Sequence, residues 1–127
     1  MNLTISPTSP VPIYRQLVDQ IRLLVLGGQL VPGRQMPGSR ELAETLQINL
    51  HTVGKAYQEL VRSGLLEMRR GAGAFVAAAV PDQFERARSE ALEPGLKRLC
   101  HEARLLGLPL EELQQALRDR WNDEEQS

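Results

Sequence analysis

Apolar residues recur at helical spacing in three stretches of the first half of the chain. Ile13, Leu17, Ile21, Leu24 and Val25 mark one face of a helix predicted over residues 12–27, with Pro12 suited to its first turn and Gly27-Gly28 as its stop. Leu42, Ala43 and Leu46 give a second, short helix its buried side; Ser39 is its expected N-cap, with Glu41 near the positive helix end. Gln47-Ile48-Asn49 reads as a turn, with Ile48 facing inward and Asn49 capping a third helix. At about 100° per residue, Leu50, Val53, Ala56, Tyr57, Leu60 and Val61 fall on one side of that helix, and His51, Lys55, Gln58 and Arg62 fall in a narrow arc on the other. Gly64 is expected as its left-handed C-cap.

The remaining segments fit around these three helices. Met1–Val11 is rich in Ser, Thr and Pro without periodicity, and reads as an extended or mobile lead-in. Gln29–Gly38 is a connection, with a short extended piece expected at Gln35-Met36. Leu66, Met68 and Phe75 are spaced for a small hairpin laid against the third helix, with Arg70-Gly71-Ala72-Gly73 at its tip. Two short helices joined by a tight turn and followed by a basic hairpin predict a helix-turn-helix with a wing.

Beyond Pro81 the rhythm changes. Phe84, Ala87 and Ala91 keep helical spacing, and Leu92, Leu96, Leu99, Ala103 and Leu106 continue as a heptad pattern. Pro94-Gly95 crosses that pattern and predicts a break or kink, with the helix restarting near Leu96. Gly107-Leu108-Pro109 is a second interruption, and Leu110, Leu113, Leu117 and Trp121 give the last helix its stripe before an acidic, frayed tail from Asn122 to Ser127. The fold expected is mainly α with a small β-hairpin wing: a winged helix-turn-helix in residues 1–80, then a short helical dimerisation segment in residues 81–127.

Charge sharpens this division. The chain carries a net charge of -1, but residues 1–80 hold eight Lys or Arg against five Asp or Glu, and residues 81–127 hold seven against eleven. Only the first half suits an anionic partner. A single cysteine, Cys100, excludes an internal disulfide and is read as a small buried hydrophobe; no signal peptide or transmembrane run is visible, so the expected compartment is the cytoplasm and no membrane is implied. His51 and His101 lack companions at ligand spacing, and neither a phosphate loop nor a nucleophile motif is present. No metal, no cofactor and no enzymatic activity are expected.

His51, Thr52 and Lys55 project from the first two turns of the third helix, as a recognition helix requires when its N-terminal residues meet base edges in the major groove. Arg40 opens the second helix, Gln58 and Arg62 extend the polar stripe, and Arg69, Arg70 and Gly71 sit at the hairpin tip, suited to phosphates or a minor groove. Taken alone, the stripe would be a solvated face and the arginine pair a solubilised loop; side by side they favour double-stranded DNA. Gly54 fits either a close approach of the helix backbone to DNA or drift on an exposed face.

The motifs IYRQLVDQIR, G-x-L-x-P-G from Gly28 to Gly33, M-P-x-x-R-E-L-A from Met36 to Ala43, and G-L-L-E-x-R-x-G-x-G-x-F-V from Gly64 to Val76 occur in this order. Together the stretch Pro12–Ala77 resembles the winged helix-turn-helix domain of GntR-family bacterial transcription regulators. The N-x-x-T-V-x-K-A-Y-x-E-L run from Asn49 to Leu60 and the short tail resemble the YtrA-type subgroup. The resemblance implies a DNA-binding repressor acting as a homodimer on a palindromic operator, with Arg40, His51, Thr52, Lys55, Arg70 and Gly71 at positions where the family contacts DNA. Leu50, His51 and Gly54 depart from the residues usual there, so the preferred base sequence does not follow. Leu92, Leu96, Leu99, Ala103, Leu106, Leu110, Leu113, Leu117 and Trp121 are the expected dimerisation residues. An unknown small-molecule effector remains open, and the alternative function is a winged-helix module that binds protein instead of DNA.

Overall fold

The computed structural model describes residues 1–78 and 81–126, which form two compact units, Met1–Arg88 and Ser89–Ser127. The boundary expected at Val80 lies outside the described residues. The elements are α1 (Ile13–Leu26), α2 (Ser39–Leu46), α3 (Leu50–Arg62), β1 (Leu66–Arg69), β2 (Gly73–Val76), α4 (Pro81–Leu105) and α5 (Leu110–Gln126).

In the first unit, α1, α2 and β1 all pack on α3. The apolar faces predicted from spacing meet there: Leu17, Ile21 and Val25 of α1, Leu42 and Ala43 of α2, and Val53, Ala56, Tyr57 and Leu60 of α3 are buried in one cluster. Tyr57 reaches across this core, its hydroxyl donating to the Pro37 carbonyl at 2.7 Å. Burial, with Glu41 adding to it, pushes that hydroxyl above the usual tyrosine range, so it stays a donor.

The cap of α2 is Gly38, not Ser39. Ser39 is already helical and no side chain caps the helix, while the Gly38 carbonyl accepts from the Leu42 N–H. In the turn, Gln47 takes left-handed angles (φ 56°, ψ 48°) without being glycine, and the Ile48 N–H closes back on the Ala43 carbonyl. Asn49 caps α3 as expected, its Oδ1 accepting from the His51 N–H at 2.7 Å. Gly64 follows the end of α3 at φ 82°.

Strands β1 and β2 pair antiparallel with Leu66 opposite Val76 and Met68 opposite Ala74. The extended piece expected near Gln35-Met36 joins the hairpin edge: Gln35 bridges Phe75, the Met36 N–H donates to Ala74 and the Val76 N–H to Arg34. Two of the three expected core positions of the hairpin are corrected. Leu66 is buried, but Met68 is 61% exposed, and Phe75 lies on the other face of the strand pair, beneath Arg69. Ala74 and Val76 take the inward places, because strand alternation puts them, not Phe75, opposite Leu66 and Met68.

The lead-in is tied down, not mobile. Gln20 exchanges two hydrogen bonds with the backbone of Thr4, and Gln16 does the same with Ser6 while also donating to Val11. These amides act as a strand edge presented by a helix, and Leu3 and Ile5 pack against the core between them.

Helix α4 runs unbroken through Pro94, against the expected break. Glu90, whose carbonyl loses the proline's missing donor, and Pro94 itself are exposed, so water can satisfy the freed group. The interruption at Gly107 is present: its φ is 72°, and the Leu108 N–H closes on the Ala103 carbonyl. Helix α5 continues to Gln126, so the expected fraying from Asn122 does not occur; i,i+4 pairs such as Arg120 with Glu124 and Trp121 with Glu125 support this end. Cys100 is exposed instead of buried, as are the neighbouring Leu96 and Leu99 of α4.

Candidate nucleic-acid interface

The polar stripe predicted on α3 is open to solvent. His51, Lys55, Gln58 and Arg62 are exposed and Thr52 is half-buried, while the opposite side of the helix is core. The Asn49 cap fixes where this stripe starts, and the buried Val53, Ala56 and Leu60 fix which way it points. Arg40 is exposed in the first turn of α2.

The hairpin separates its two arginines. Arg69 is held by Glu67, with Nη2 at 2.9 Å from Oε1, and its guanidinium lies 4.1 Å from the centre of the Phe75 ring. Among the described residues Arg70 makes no ion pair, and it stands at the start of a turn in which Gly71 has φ 76° and Gly73 φ 93°. That left-handed backbone needs glycine and keeps the tip narrow. Arg62 is paired with Glu59 on its own helix, whereas Lys55 and Arg40 have no ion-pair partner among the described residues.

Two residues belong to this surface that spacing did not reveal. Lys55 stacks on Tyr14 of α1, and Arg15 lies 5.2 Å from the same ring and donates to the Tyr14 hydroxyl at 3.2 Å. That hydrogen bond leads the effects holding the Arg15 guanidinium above its ordinary pKa, so it stays charged. Only the packing of α1 on α3 brings this pair beside Lys55; the single local signal was a Tyr-Arg dipeptide in a first helical turn.

In the second unit, Leu92, Leu96, Leu99, Leu106, Leu110, Leu117 and Trp121 are all exposed, from 37% at Leu99 to 76% at Leu106, and Leu113 is half-buried. Ala103 of the expected dimerisation set differs from these in exposure. It is 5% exposed within one chain, and its carbonyl accepts from the Leu108 N–H. Among the described residues no helix is long and apolar enough to cross a membrane, and no group of three or more His, Cys, Asp or Glu could hold a metal.

Residues 13–76, which contain α1 to β2, match the family described as bacterial regulatory proteins, gntR family. The chain belongs to the GntR family. This GntR-family chain is 34% identical over 117 residues to the HTH-type transcriptional repressor YtrA of Bacillus subtilis, covering 92% of this chain and 90% of that protein. It is similar to the solved structure of YtrA from Sulfolobus acidocaldarius, a GntR-family transcription factor, with a TM-score of 0.58 at 31% identity over 98% of this chain and 100% of that one. The DNA-binding domain of AraR in complex with operator ORX1 superposes with a TM-score of 0.54 at 30% identity, covering 61% of this chain and 99% of that domain. These likenesses place the GntR-family chain in the YtrA-type group.

Proposed function

We propose that the chain is a sequence-specific DNA-binding transcription regulator, a repressor, that acts as a homodimer on a palindromic operator. The observation that carries this reading is the exposed stripe of α3, with Lys55 and His51 at its N-terminal end, on the same compact unit as the exposed Arg70 at a hairpin tip, which has no ion-pair partner among the described residues. A recognition helix presents such a stripe to base edges, and a wing contacts the flanking backbone or minor groove. Arg40, Lys55, Arg70 and Gly71 then hold phosphates and groove edges, His51, Thr52 and Gln58 face bases, and Arg62 and Arg69 sit at the margin.

The apolar stripe of the second unit supports the dimer. Six exposed leucines of the stripe and Trp121 make a surface that water does not favour, and pairing with a second copy covers it. Two-fold symmetry then matches two recognition helices to the two halves of a palindrome. The names of the YtrA repressor and the AraR–operator complex support the same assignment.

The test is a titration of the full chain against the DNA immediately upstream of its own gene at two salt concentrations, with light scattering on the same sample. Neutralising phosphates makes affinity fall steeply with salt. Salt-independent behaviour favours a protein-binding winged helix, and a monomer at micromolar concentration removes the dimer.

A further inference from the structure

Helix α3 carries a glycine that nothing inside the molecule calls for. Gly54 lies in the helix interior, where glycine is about 1 kcal/mol less favourable than alanine. It is not among the glycines with positive φ, and a Cβ built on it meets no described heavy atom within 4 Å beyond its chain neighbours and its own helix backbone. Neither its conformation nor its packing explains the missing side chain.

Gly54 lines a cleft of about 400 Å³. Ser39 of α2, Tyr57, Gln58, Val61 and Arg62 of α3, and Met68 of β1 line it with Gly54. Met68 is the apolar residue that the hairpin leaves 61% exposed. Among the described residues none that lines the cleft is acidic, and the exposed Arg40 adjoins Ser39.

The next step rests on the DNA-binding reading above. With α3 in a major groove and Arg70 at the neighbouring minor groove, one sugar–phosphate strand separates the two grooves. That strand has to pass between α3 and the hairpin, where the cleft lies. We infer that the cleft is the track for this strand, with Gly54 left bare so that a deoxyribose can lie against α3 and Met68 as the apolar wall on its far side. Sugar and phosphate are the same at every base pair, so Gly54 and Met68 act on affinity and docking depth, not on base choice.

The experiment compares the full-length wild type with Gly54→Ala, Gly54→Leu and Lys55→Ala. Each is melted, and each is titrated at one salt concentration against a duplex from upstream of its own gene and against a random-sequence duplex. Gly54→Ala and Gly54→Leu are expected to melt at or above the wild-type temperature and yet bind both duplexes more weakly by a common factor, about tenfold for leucine. Wild-type affinity in Gly54→Leu overturns the inference. A loss confined to the upstream duplex also overturns it, because a base edge would then occupy the cleft. If Lys55→Ala weakens binding while Gly54→Leu does not, the DNA-binding reading stands and the strand track is wrong; a wild type that binds neither duplex removes both.

Discussion

The ammonium of Lys55 lies 4.0 Å from the centre of the Tyr14 ring, joining the first turn of α1 to the second turn of α3. A lysine otherwise loses side-chain freedom when it binds, and the ring face restrains it beforehand while leaving its N–H donors free to point outward. Tyr14→Leu should therefore weaken DNA binding by about 0.5–1 kcal/mol, the worth of an exposed cation–π contact. Tyr14→Phe keeps the ring face and should retain most of the affinity. Equal titration curves for the two variants would show that the stacking has no role.

Arg69 and Arg70 are neighbours with different surroundings. Because Arg69 is occupied by Glu67 and Phe75, Arg69→Ala should act mainly on the hairpin, with a small change in melting temperature and a modest loss of affinity. Arg70→Ala should leave melting unchanged and cost about 1–3 kcal/mol of DNA affinity. Parallel melting and titration of the two proteins separates a brace from a contact; an Arg70→Ala protein with full affinity removes the wing tip from the interface.

The left-handed Gln47 is a local strain in the turn that sets α2 against α3. Removing its Cβ relieves a penalty of about 1–2 kcal/mol, partly offset by the greater freedom of glycine in the unfolded chain. Gln47→Gly should be neutral to stabilising in denaturant unfolding, and Gln47→Val, branched at Cβ, should be clearly destabilising. The reverse order would mean that the turn relaxes out of this conformation.

Tyr57 makes stability depend on alkaline pH. Its folded pKa is raised above the ordinary 10.0, so the folded state holds the proton more tightly than the unfolded state. This contribution is fully present below about pH 10 and falls as pH rises through the folded value. Tyr57→Phe should lower stability near neutral pH by about 0.5–1.5 kcal/mol, through loss of the bond to Pro37, and should flatten the alkaline decline. Urea midpoints at pH 8 and above pH 10 for both proteins check this.

Periodicity alone placed α1, α2 and α3, their buried faces and the polar stripe of α3, because helical packing repeats along the chain and each face is written locally. Asn49 as a cap and the glycine tip of the hairpin were legible for the same reason: they answer to backbone geometry within a few residues. The resemblance of the ordered motifs already pointed to the family. What needed the tertiary structure was every relation between distant segments. The stacking of Tyr14 on Lys55, the tethering of the lead-in by Gln16 and Gln20, and the cleft between Gly54 and Met68 depend on how elements pack, which no local pattern encodes. Local rules also gave the wrong answer where surroundings overruled them. Pro94 stays helical because the carbonyl it orphans is on an exposed segment, and Phe75 faces away from the core because strand register, not apolar character, decides which side it occupies.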